Sequence, residues 1–219
     1  MPAGYHPPLE EYLEAIHELE EEGTQIIQAR LAERVGHSAP AVSETIRRLK
    51  AEGYVTVEDR AVALTVKGRA RAESVVRKHR LAELLLTEVI GLPWHKAHLE
   101  ACRWEHVISD EVEDRLVVLL GHPTTCPHGN PIPGSGAQVP KDMVALSSVP
   151  GGQVRLERVT EQVEIDSEAL AYLSDAGFIP GADATVTSRA PDGTLTLARD
   201  GHSFALGLTL TQQLYVTAV

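Results

Sequence analysis

Several things are scarce in this chain of 219 residues, and each scarcity narrows what it can be. There are two cysteines, Cys102 and Cys126, so at most one disulfide is available and no disulfide framework can stand in for a core. Only 4% of residues are aromatic, which leaves Leu, Val, Ile and Ala to fill the interior. No apolar run approaches the roughly 18 residues a membrane helix needs, and Met1-Pro2-Ala3-Gly4 does not begin a signal peptide. The expectation is a cytoplasmic protein with reduced thiols and no membrane partner. Basic charge is also short: 20 Lys and Arg face 31 Asp and Glu, a net charge of −11. That excludes a protein basic all over, but not one with a local basic face, because a docking partner feels the field of that face. Between Thr45 and Arg71 seven Lys and Arg stand against three Asp and Glu. At this length the chain accommodates one large domain or two to three small ones.

What is present centres on His98-Leu99-Glu100-Ala101-Cys102-Arg103-Trp104-Glu105-His106. At roughly 100° per residue on a helix, His98, Cys102, Glu105 and His106 fall within an arc of about 100°. Two imidazoles, a thiol and a carboxylate on one stripe are donors for a first-row divalent metal. His79 and Glu83 repeat one-turn spacing on an earlier helix. A single such residue is usually a surface or core side chain; six of them in two clusters favour metal.

Upstream, Leu9, Leu13, Ile16 and Leu19 recur at helical spacing until Gly23. A short second helix over 27–35 stops at Gly36, and a third begins at Ser38 as N-cap with Pro40 in its first turn. Val42, Ile46 and Leu49 form its buried stripe, leaving Ala41, Ser43, Glu44, Arg47 and Arg48 outward. Small side chains first and cations after suit a helix that enters a major groove and passes phosphates. Two short helices joined by a Gly turn are helix-turn-helix patterning. Segments 54–57 and 61–65 then alternate around Glu58-Asp59-Arg60, a hairpin wing with Arg60 at its tip.

A long helix is expected over 67–90, broken by Gly91-Leu92-Pro93, then the metal-stripe helix over 94–107 and another capped by Ser109. On that last helix Val112, Leu116, Val117, Leu119 and Leu120 are too apolar to be left in water, which predicts a partner subunit, most simply a two-fold dimer. Cys126 and His128 lie in a Pro-rich turn over 122–133, two donors too few to define a site by themselves. Residues 134–152 read as linker, and the remainder as a strand over 154–159, a helix over 167–175 and short strands, a five-stranded SH3-like β-barrel. The predicted class is α+β: a winged helix-turn-helix over 1–73, a helical dimerisation and metal-binding domain over 74–140, a linker over 141–152 and the barrel over 153–219.

Arg77-Lys78-His79-Arg80-Leu81-Ala82-Glu83, Glu100-Ala101-Cys102-Arg103-Trp104-Glu105-His106-Val107, Ser109-Asp110-Glu111-Val112-Glu113 and Cys126-Pro127-His128-Gly129 together resemble the diphtheria toxin repressor family of metal-dependent regulators. The resemblance covers essentially the whole chain. It implies a homodimeric repressor that binds palindromic double-stranded operator DNA when Mn(II) or Fe(II) is plentiful, with two metal sites per subunit. By the same resemblance Cys102, Glu105 and His106 belong to a primary site, and His79, Glu83 and His98 to an ancillary one. Iron-sensing members carry Met where this chain has Glu11, whereas manganese-sensing members carry a carboxylate there and another three residues on, here Glu14. Manganese sensors often have Glu where this chain keeps Cys102, so the set is a hybrid that leans to Mn(II), with an iron-specific regulator as the alternative. The family also draws a Glu and a Gln from the barrel; Glu164 and Glu168 are the nearest local match. The DNA-facing set is Ser38, Pro40, Ala41, Ser43, Glu44, Arg47, Arg48 and Arg60.

An enzyme is not expected. A metallo-hydrolase would use the same donors, but the chain has no His-Glu-x-x-His, no general base with an evident orienting partner and no Gly-rich phosphate loop. A DNA-binding protein stiffened by structural zinc is the remaining alternative.

Overall fold

The computed structural model describes residues 8–219, so the Met1-Pro2-Ala3-Gly4 start lies outside the described residues. It divides into two compact units. The first is the chain up to His79 together with Cys102–Glu113, and the second is Arg80–Ala101 with Asp114–Val219.

In the first unit helix α1 spans Pro8–Glu21, α2 Gln28–Val35 and α3 Ala39–Ala51. The predicted apolar stripes are the core: Tyr12, Leu13, Ile16 and Leu19 of α1 pack with Leu31, Val42, Ile46 and Leu49. Gly36 ends α2 at φ 66°, the left-handed conformation a glycine tolerates. Ser38 occupies the N-cap position of α3, but its side chain makes no capping hydrogen bond; only its carbonyl accepts, from the Val42 N–H at 3.0 Å. Strands β1 (Val55–Glu58) and β2 (Ala61–Leu64) pair antiparallel from Val55↔Leu64 to Glu58↔Ala61. Asp59 and Arg60 turn the hairpin with φ of 45° and 74°, the two left-handed residues that a two-residue hairpin of matching twist requires.

Helix α4 spans Val66–Leu84 and runs on into a π-helical turn, Leu85–Val89. After it come α5 (Ala97–Trp104) and α6 (Asp110–Leu119). The expected helix over 94–107 is therefore shorter: Trp94–Lys96 is a 3₁₀ turn, and Glu105 and His106 lie in the turn after α5, where the N–H groups of Val107 and Ile108 close back on the Trp104 carbonyl.

The second unit carries β3 (Val144–Ala145), β4 (Gly152–Val159), α7 (Glu161–Glu164), α8 (Ser167–Asp175), β5 (Asp183–Arg189), β6 (Leu195–Arg199), β7 (His202–Leu206), α9 (Leu208–Thr211) and β8 (Leu214–Ala218). The strands form one antiparallel sheet in the order β3-β8-β4-β5-β6-β7, bulged in β4 and β5. Leu156, Leu170, Phe178, Leu195, Leu197 and Val216 are at the centre of its core. Six strands replace the expected five because β3 pairs with β8 from within the stretch read as linker. A two-residue strand is too short to leave a period in the sequence. Among the described residues no helix is long and apolar enough to cross a membrane.

Candidate metal centres and DNA-facing surface

A first group of donors gathers in the first unit. Helix α1 presents Glu10 and Glu14 one turn apart. Glu10 Oε2 lies 2.7 Å from Nδ1 of His106, whose Nε2 is 2.8 Å from Glu105 Oε1. The other oxygen of Glu105 is 2.5 Å from His79 Nδ1 on α4. Glu14, His79 and Glu105 each offer a donor atom within 4.8 Å of the others. Arg71 pairs with the remaining Glu10 oxygen. Burial opposes ionisation of Glu105, yet hydrogen bonds and charge from His106 and His79 outweigh it and hold the carboxyl at about 2. Burial likewise disfavours a charged His106, and Glu10 and Glu105 override it, raising the imidazole to about 9. Protonated His106 between two carboxylates thus stands where a cation is wanted. Three carboxylates and two imidazoles make a set of oxygen and nitrogen donors suited to Mn(II) or Fe(II).

A second group lies within the second unit. His98 Nδ1 of α5 is 3.0 Å from Glu161 Oε1 and 3.3 Å from Glu164 Oε2, both on α7. Glu83, Cys126 and His128 bring three further donors together, all buried. The turn that carries Cys126 and His128 is held tightly. Trp94 Nε1 donates to the Pro127 carbonyl at 2.9 Å, and the Val159 N–H donates to the His128 carbonyl at 3.0 Å. At Gly129, whose φ is +86°, a Cβ would come within 2.0 Å of the Glu157 carbonyl oxygen, so only glycine lets the turn pass β4 this closely. Asn130 Nδ2 donates to Glu164 Oε1 at 2.5 Å and so leaves Oε2 directed at the imidazoles. Burial raises the Cys126 thiol well above its ordinary range, helped by Glu83 and Glu164. In His128 burial works against the charged form, but Glu164 and Glu83 prevail and raise it.

Three sequence expectations change. The helical stripe from His98 to His106 is divided: α5 ends at Trp104, and His98 belongs to the second unit while Glu105 and His106 belong to the first. Periodicity assigns one face to a helix only as far as the helix runs. The α1 carboxylate on His106 is Glu10, which sequence reasoning passed over; half-buried Glu11 lies outside the donor groups gathered among the described residues. One residue is a rotation of about 100°, enough to exchange which carboxylate faces the imidazole. Glu168 is exposed in the first turn of α8, and its place beside Glu164 is taken by Glu161, which is the pair of acidic residues three apart. Cys102 is half-buried on α5, one turn after His98. Cys126 and His128, too few as a pair, are joined in a group of three donors by Glu83, a residue more than forty positions away.

The surface of α3 is open as predicted. Ser38, Pro40, Ala41, Ser43, Glu44, Arg47 and Arg48 are all exposed, as is Arg60 on the wing. Arg47 pairs with Glu44 at 3.0 Å and Arg48 with Glu52 at 2.8 Å. Pairs this exposed are worth about 0–1 kcal/mol, so a phosphate can displace the carboxylates. Replacing Arg60 by alanine is expected to weaken specific and unrelated DNA about equally and to lower the salt slope of binding by roughly one unit. Fluorescence titrations over a range of salt concentrations measure this, and an unchanged slope would remove the wing from the interface.

Comparison with known proteins gives three sequence families in chain order. Residues 6–63 match "Iron dependent repressor, N-terminal DNA binding domain", residues 65–134 "Iron dependent repressor, metal binding and dimerisation domain", and residues 145–218 the FeoA domain. The iron-dependent repressor IdeR of Mycobacterium tuberculosis is 47% identical over 205 residues, covering 88% of this chain and 89% of that protein. The diphtheria toxin repressor of Corynebacterium diphtheriae is 44% identical over 208 residues, covering 90% and 91%. Among solved structures, a manganese-dependent transcriptional repressor in complex with manganese superposes with a TM-score of 0.85 at 32% identity, over 96% of this chain and all of that one.

Proposed function

The chain belongs to the iron-dependent repressor family, whose members are metal-dependent transcriptional repressors, and we propose that Mn(II) is the ion that activates it, acting in the cytoplasm on palindromic operators of metal-homeostasis genes. One observation carries this reading. Glu10 and Glu14 lie on the helix whose apolar stripe, including Leu13 and Ile16, shares one core with Ile46 and Leu49 of the recognition helix α3. An ion held by Glu10, Glu14, Glu105, His106 and His79 would therefore tie the DNA-reading helices to α4 and the turn after α5. Its greater affinity for the tethered arrangement shifts the population toward the form that fits DNA. The bound ion supplies positive charge between carboxylates that otherwise repel; the residues supply the register of α1.

The hard donor set favours Mn(II). The thiol of Cys102 favours Fe(II) as the second reading, because it is the soft donor on the helix that precedes Glu105. The hydrolase alternative finds no support among the relatives. In Glu83, His98, Cys126, His128, Glu161 and Glu164 a further metal centre would stiffen the second unit.

The test is operator binding against buffered free Mn(II), Fe(II) under anaerobic conditions, and Zn(II), with duplexes selected from a random pool in Mn(II). Binding that rises with Mn(II) or Fe(II) at buffered micromolar levels is expected. Equal binding in chelator would overturn the reading and favour a structural-zinc protein. Glu10→Gln should raise the Mn(II) needed for half-activation by about tenfold or more, the scale of losing a ligand contact, and Glu11→Gln by less. The reverse order would mean that α1 turns by one residue when the ion binds.

A further inference from the structure

We propose that Glu44 gives the reading helix a base preference: in each half-site its carboxylate accepts a hydrogen bond from the N4 amino group of a cytosine. The inference rests on the operator-binding reading above and names one base of that operator. At about 100° per residue, Glu44 lies roughly 160° round α3 from both Val42 and Ile46, which anchor the helix in its core. It therefore points away from the core, on the midline of the exposed face. Pro40 and Ala41 flank that midline one turn earlier and Arg47 and Arg48 one turn later, each within about 60° of it. All five side chains are exposed. The carboxylate thus stands between the small residues that let the helix approach a groove and the cations that meet the groove's walls.

A carboxylate in that place opposes binding to a polyanion unless the groove offers it a donor. Glu44 lies beyond the first turn of α3, so the helix dipole does not call for an acid there. Its partner is Arg47 at 3.0 Å, with the two side chains 73% and 76% exposed. A pair so exposed holds weakly, and Arg47 is one of the cations that turn to phosphate on docking. Glu44 then loses its partner while the groove strips its water, and a desolvated carboxylate must find a hydrogen-bond donor. The face is also held in register from within. The Tyr12 hydroxyl of α1 lies 2.9 Å from Nδ1 of His37, in the turn that leads into α3, so the midline is set before DNA arrives.

The chemistry of the base edges selects the donor. An ionised carboxylate only accepts hydrogen bonds. In the major groove guanine shows it two acceptors, and thymine an acceptor and a methyl group, so neither satisfies it. Adenine offers its N6 amino group but sets the N7 lone pair beside it. Cytosine alone presents an amino donor with no acceptor next to it on its own edge. In a two-fold dimer the cytosine recurs once per half-site, on opposite strands.

The experiment selects duplexes from a random pool in Mn(II) with the full chain, as parent, Glu44→Gln and Glu44→Ala. Each protein's affinity is then measured for all four base pairs at the position that changes. The parent pool should fix a C·G pair at one position of each half-site. Glu44→Gln should move that position to A·T, because an amide donates to adenine N7 as well as accepting from N6. Glu44→Ala should leave the position unselected and the rest of the site intact. Replacing the cytosine of one half-site should weaken the parent by about 5–150-fold, the cost of one mismatched pair, and leave Glu44→Ala indifferent. A converged parent pool in which no position follows residue 44 overturns the proposal, as does a position fixed as any base other than cytosine. So does a Glu44→Ala variant that gains affinity for every base at that position alike, which would mark Glu44 as a plain charge against the phosphates. A parent that selects no sequence in Mn(II) overturns the repressor reading and the proposal together, so convergence of the parent pool tells the two failures apart.

Discussion

Replacing His106 by alanine is expected to leave a folded dimer whose affinity for operator DNA no longer rises when Mn(II) is added. Coupling energies of about 1–3 kcal/mol correspond to gains of roughly 5–150-fold, and the variant should lose all of that gain. The reason is the position of the imidazole. It touches Glu10 of α1 through one nitrogen, at 2.7 Å, and Glu105 through the other, at 2.8 Å. Removing it cuts the link between the DNA-reading helices and the rest of the site, and leaves Glu10 and Glu105 without the cation that reconciles them. His128→Ala is the contrast, since His128 belongs to the second unit and leaves α1 untouched. That variant should bind operator more weakly and still respond to Mn(II). His79 is a less clean comparison, because its Nδ1 lies 2.5 Å from Glu105. The measurement is operator affinity against free Mn(II), with dimer mass followed in parallel. A normal metal response in His106→Ala would refute the assignment of the first centre.

A double substitution, Val118→Glu with Leu119→Glu, should convert the dimer to monomer and lower affinity for a two-fold operator by about 10²–10⁴-fold, the contribution of joining two half-sites. Both side chains sit at the end of α6 and are 66% and 61% exposed in the single chain. Two aliphatic neighbours left in water inside the segment that matches a dimerisation domain are a surface awaiting its second copy. Neither belongs to the buried core of the described residues. The monomer should therefore stay folded, with a cost limited to about 0.3–1 kcal/mol from negative charge at a helix C-terminus. Sedimentation gives the mass and anisotropy the affinity. A variant that remains dimeric at micromolar concentration would place the two-fold contact elsewhere.

The winged helix was legible without tertiary information, and for a definite reason. Each of its signals is local: the stripe of Val42, Ile46 and Leu49, the exposed order from Ala41 to Arg48, and the alternation on either side of Asp59-Arg60. Donor chemistry was legible as well, because thiol, imidazole and carboxylate types are written in the residues themselves. Grouping of the donors was not. Glu10 meets His106 across 96 positions of chain, and Glu83 meets His128 across 45, distances over which no period or spacing carries information. Helix α5 ends at Trp104, so Glu105 and His106 leave the helical register, which a wheel drawn over residues 98–106 could not anticipate. Glu161 replaced Glu168 because α7, only four residues long, aims its carboxylates by where β4 ends. Local patterning was enough for the helices and for the types of donor side chain. Which donors lie close to one another depends on packing between elements far apart in the chain, and that packing has no local signature.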